Sequence, residues 1–105
     1  MLRSITPLVA ASLAISVGIV TAQELGDAKR GRVLAETVCA ECHAVDKGAL
    51  SRNGNAPTFQ TVATTPGMTA MALRVALRTS HKEMPNLVLK NQEVDDVIAY
   101  IATLK

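Results

Sequence analysis

The sequence has 105 residues, enough for one domain. Its 11 basic and 9 acidic residues leave a formal charge of +2, and setting aside residues 1–22 removes Arg3, so that 10 basic face 9 acidic; this balance gives no case for nucleic-acid binding. With one Phe, one Tyr and no Trp, the side chains alone make a weak core, and so small a domain needs a staple.

The first element is an export segment. Arg3 gives a short positive start, Ile5 to Ala22 is uncharged and mostly apolar, and Val20-Thr21-Ala22 satisfies the small-residue rule for signal cleavage before the polar run Gln23 to Asp27. The competing expectation is a retained membrane anchor, for which the uncharged stretch is just long enough. Pro7 and the cleavage-like site favour removal. The expected division is therefore a signal peptide at 1–22 and a mature domain at 23–105, without a stable membrane span and exported to the periplasm if the source is a Gram-negative bacterium.

Asp27 is a good N-cap for a helix from Ala28 to Val38, where Val33, Leu34 and Val38 recur at helical spacing among charges. Gly31 and Ala35 lie four apart on one face. A glycine inside a helix costs about 1 kcal/mol relative to alanine, and close approach by another helix would compensate. Ala44 to Ala56 is polar and turn-rich, and Pro57 follows with a carbonyl but no N–H. Phe59 to Thr65 suits a short helical turn with Phe59, Val62 and Ala63 inward. Thr69 caps a helix from Ala70 to about Arg78, with Met71 expected in the core. The helical pattern breaks around Met84-Pro85. A last helix runs from Lys90 or Asn91 to Leu104, with Val94, Val97, Ile98, Ile101 and Leu104 as its apolar stripe. Glu93, Asp95 and Asp96 suit the dipole near its N-terminus. Tyr100 is the candidate to cover the Gly31/Ala35 gap.

The chain is organised around Cys39-Ala40-Glu41-Cys42-His43. Cys-x-x-Cys-His is the signature for covalent attachment of a c-type haem. On a helix, residues three and four apart share a face. Cys39 and Cys42 can then form thioethers to one porphyrin while His43 turns its imidazole to the iron. A tethered porphyrin would also supply the missing apolar bulk. Three other readings compete: a Cys-x-x-Cys redox pair, though no βαβ pattern surrounds it; a zinc site from Cys39, Cys42, His43 and His81, though only one knuckle is present; and a disulfide closing a very short loop, which would stabilise little.

A haem iron held by one histidine has a second axial position. The candidates are Met68, Met71, Met84 and His81. Met68 and Met71 border or sit in a helix. Met84 precedes a proline, which biases it towards extended backbone, and it lies 41 residues after His43, so the chain has room to wrap the ring. His81, between Ser80 and Lys82, is the rival, and a His/His pair would lower the potential relative to His/Met.

Over essentially all of its mature length the chain resembles the class I cytochromes c, small soluble single-haem electron carriers with His/Met ligation. The resemblance rests on Cys39 to His43, on Met84-Pro85-Asn86, on the Gly31-containing first helix and the Tyr100-containing last helix, and on the signal segment and helix order. It implies an all-α cytochrome c fold, with three main helices wrapped around one covalently bound haem and crossing terminal helices. It implies Cys39 and Cys42 as thioether residues and His43 and Met84 as axial ligands of the iron. A proline carbonyl commonly accepts a hydrogen bond from the ligand histidine in that family, and Pro57 matches by its place in the order of elements. The chain departs in lacking a Trp to meet a haem propionate; Arg52, Asn53 and Lys82 are the candidates to replace it.

The function implied is one-electron transfer between redox protein partners through haem c, by a monomer that is not itself an enzyme. Lys47, Arg52 and Lys82 lie in loops expected to flank the haem and are docking candidates, or ordinary solvated charges. Two alternatives remain: an electron-transfer subunit of a larger periplasmic dehydrogenase, and a haem protein that binds or senses a gas.

Overall fold

The computed structural model describes residues 26–105. The expected signal segment, 1–22, and the first residues of the mature domain lie outside the described residues. Among the described residues there are helices and no strands, apart from an isolated bridge between His81 and Met84. The helices are α1 (Ala28–Leu34), continued by a π-helical stretch (Ala35–Cys39), then α2 (Phe59–Thr64), α3 (Ala70–Arg78) and α4 (Asn91–Ala102). None is long and apolar enough to cross a membrane.

The caps are where the sequence puts them. The Asp27 carboxylate accepts from the backbone N–H groups of Lys29 and Arg30 at 2.9 and 3.0 Å, and the Thr69 hydroxyl accepts from Ala72 at 3.0 Å. Glu93 accepts from the Lys90 N–H at 2.9 Å to open α4.

The core lies between α1 and α4. Val94 and Val97 are its largest fully buried side chains, with Ile98, Ile101 and Leu104 completing the expected stripe and Phe59, Ala63 and Leu73 packing onto it from α2 and α3. Gly31 faces α4 so closely that a Cβ there would overlap the backbone oxygen of Asp96 and touch the Cβ of Tyr100 at 3.0 Å. Tyr100 does meet Gly31, as expected, but the α4 backbone is the nearer obstacle. Closeness of the two backbones is what the glycine permits.

Three expectations are corrected. Met71 is not core: it is 68% exposed, because it lies two residues, roughly 200° of helix, from the buried Leu73. Val75 lies the same angle beyond Leu73 and is exposed for the same reason. The first helix is not α-helical to Val38 but widens at Ala35, where the Ala40 N–H reaches back five residues to the Ala35 carbonyl at 2.9 Å. Asp96 is more than a dipole partner near the start of α4. Its carboxylate is buried and accepts from the Asp27 N–H at 2.8 Å, from Arg30 Nε at 3.0 Å and from Gln92 Nε2 at 3.0 Å. The Arg30 guanidinium, foremost, holds its pKa at about 2 against desolvation.

Candidate haem site

The site grows out of the π-helical end of the first helix. Gly31, Ala35 and Cys39 are its buried residues, a stripe with a spacing of four that carries the α4-facing side directly into the motif. The chain then turns tightly, the Cys42 and His43 N–H groups both donating to the Cys39 carbonyl at 3.2 and 2.9 Å. The loop that follows is pinned from three directions. Asn53 N–H donates to the Cys42 carbonyl at 3.1 Å, Phe59 N–H to the Ala44 carbonyl at 2.9 Å, and the buried Tyr100 hydroxyl to the Val45 carbonyl at 2.6 Å. Burial is the first cause that raises the Tyr100 pKa, so this hydroxyl stays a donor at neutral pH.

A cavity of about 400 Å³ opens beside this turn, within the roughly 300–1,000 Å³ range of small-molecule and cofactor sites. Cys39, Cys42, His43, Pro57 and Met84, all singled out in the sequence, line it together, and so does His81. Its floor is apolar, with Phe59, Leu73 and Ile101 brought from α2, α3 and α4. Met84 is half-buried, whereas His81 is exposed. Among the propionate candidates Asn53 and Lys82 line the cavity and Arg52 does not. Lys47 does not line it and donates to the Lys105 carbonyl at 3.4 Å. The mouth carries mixed charge, with Glu41 and Glu83 beside Lys82.

His43 is held in one orientation. Its Nδ1 lies 2.6 Å from the Pro57 carbonyl oxygen. A carbonyl only accepts, so Nδ1 carries a proton, and in the neutral imidazole the lone pair is on Nε2. The Phe59 ring packs on the imidazole, with centroids 5.6 Å apart and planes tilted by 51°. That role of Phe59 was missed in the sequence, although its place two residues after Pro57 was a usable signal.

The competing readings of the motif fare worse. Cys39 and Cys42 are not joined as a disulfide. Burial pushes the Cys39 thiol pKa up, the opposite of what a reactive redox thiol needs. Among the described residues no three His, Cys, Asp or Glu side chains come together as a metal site of their own, which leaves zinc without its ligand set. Two cysteines not paired with each other, an oriented imidazole and an apolar cavity of this size do suit a haem.

Residues 26–101 match the family model described as cytochrome C oxidase, cbb3-type, subunit III. The chain belongs to this family. It is a c-type cytochrome, in keeping with the class I resemblance, and it carries covalently bound haem c with its iron. Its chemistry is haem-based electron transfer. No curated protein and no solved structure matches the cytochrome.

Proposed function

We propose that this cytochrome is an exported carrier of single electrons with one haem, held by thioethers from Cys39 and Cys42 and ligated by His43 and Met84. The observation that carries the reading is the 2.6 Å contact from His43 Nδ1 to the Pro57 carbonyl, because it commits Nδ1 as a donor and leaves Nε2 as the nitrogen available to iron, in a cavity that Met84 also lines. When bound, haem c supplies an iron that exchanges one electron between Fe(III) and Fe(II). The protein's part is to hold the ligands still. Pro57 and Phe59 fix the imidazole, and the apolar floor excludes water and disfavours the extra charge of the oxidised state. A thioether ligand raises the potential in the same direction, relative to a second histidine. His81, exposed on the rim, is the weaker candidate. The export reading rests on Arg3, the apolar run Ile5 to Ala22 and the cleavage-like Val20-Thr21-Ala22.

The family's description as an oxidase subunit supports a second reading of the partner, in which the cytochrome is a lasting electron-transfer subunit of a larger complex. Optical spectra of the exported protein, oxidised and reduced, with and without carbon monoxide, test the ligand set. A low-spin c-type spectrum indifferent to carbon monoxide is expected, with Met84→Ala turning it into a form that takes up the gas. Uptake by the unaltered protein would mean an open position and would favour gas binding. Co-purification from the native membrane at fixed stoichiometry separates a lasting subunit from a free carrier.

A further inference from the structure

Met84 closes a four-residue turn whose third residue is strained. The Met84 N–H donates to the His81 carbonyl at 3.2 Å, and Glu83 stands at φ 68°, the sole non-glycine residue with positive φ among those described. This turn position favours glycine. A glutamate there carries a backbone cost that glycine would avoid, so the side chain must do something the backbone does not. It does: the Glu83 carboxylate accepts from Asn55 Nδ2 at 3.3 Å, across 28 residues of sequence. Asn55 is itself braced, its N–H donating to Asn53 Oδ1 at 2.9 Å, and it stands two residues before Pro57.

We propose that Asn55 and Glu83 are positioning residues that form a latch between the two ligand-bearing loops and keep Met84 from leaving the iron; this rests on the reading of Met84 as a ligand. The loop of His43 and Pro57 is fastened to the core, whereas residues 79–86 are exposed apart from Met84. The latch lends the free loop the fixity of the fastened one. Both partners are exposed, so the bond contributes little to global stability. The same small contribution is a large share of the local opening that any incoming ligand must wait for.

The test is the rate at which imidazole binds the oxidised holoprotein, read by stopped flow, in Asn55→Ala, Glu83→Ala and the double variant. Each single variant is expected to take up imidazole about fivefold faster, as the loss of one exposed hydrogen bond allows. The double variant is expected to be no faster than either single one, since all three lack the same bond. Glu83→Gln, which keeps an acceptor oxygen, restores most of the slow uptake, and the unfolding equilibrium in urea shifts by no more than the same factor of about five in any variant. Unchanged uptake in the single variants, or a double variant whose effect is the product of the two, overturns the latch. The far-red methionine–ferric band of the unaltered protein keeps the two readings apart. If it is missing, the Met84 assignment and the latch fall together; if it is present while uptake is unchanged, the latch alone falls.

Discussion

The histidine side and the methionine side of the cavity are built differently. His43 follows a helix whose buried stripe, Gly31, Ala35 and Cys39, is pressed on α4, and its loop is tied down by Tyr100 and by backbone hydrogen bonds. Met84 sits in an exposed turn with a strained neighbour and closes over the same cavity. Chain order allows the difference. The motif comes directly off a packed helix, while the methionine comes from the connection between α3 and α4, where Pro85 disfavours a helix at position 84. The histidine is therefore fixed by the fold, and the methionine can be adjusted without unfolding it.

Breaking the fastened side has the largest expected effect. Gly31→Val drives a side chain into the α4 backbone and should cost about 3 kcal/mol or more in urea unfolding, if the holoprotein accumulates at all. Next comes Asp96→Ala, which strips the Asp27 N–H and Arg30 of a buried acceptor and should cost about 2 kcal/mol. The folded pKa of Asp96, about 2, lies below its ordinary 3.8, so its contribution is complete above about pH 4 and is lost as the pH falls towards 2. Urea titrations from pH 6 to 2 should show that loss in the unaltered protein and a flatter profile in the variant. Tyr100→Phe leaves the Val45 carbonyl without its donor and should cost about 1 kcal/mol. Smallest is Met71→Ala on the outer face of α3, which should change stability by no more than about 0.5 kcal/mol. A cost as large as that of Asp96→Ala would put Met71 back in the core.

Much of this was legible in the sequence because it is local. The haem motif, the proline after Met84, the caps at Asp27 and Thr69 and the stripe on α4 are all written within a few residues. Gly31 announced a close approach, though not that the Asp96 backbone would provide it. What could not be read depends on partners far apart in the chain or on the phase of a helix. Asp96 resembles any acid near a helix start until Arg30, 66 residues earlier, is seen beside it. The widening at Ala35 has no breaker to signal it, since Ala-Glu-Thr-Val-Cys suits an α-helix as well. Met71 shows how an apolar residue at plausible spacing falls on the wrong side when the helix turns Leu73 and Leu77 inward. Glu83 gives no hint of positive φ, because the usual glycine is absent.

The most direct test of the central claim is the proton NMR spectrum of the reduced holoprotein. A methionine ligand lies in the ring current of the porphyrin, and its methyl resonance moves far upfield of every other methyl. The account predicts one such resonance in the unaltered protein, lost in Met84→Ala and kept in His81→Ala. Its absence from the unaltered protein, or its loss in His81→Ala with Met84 intact, would contradict the assignment of the two sides.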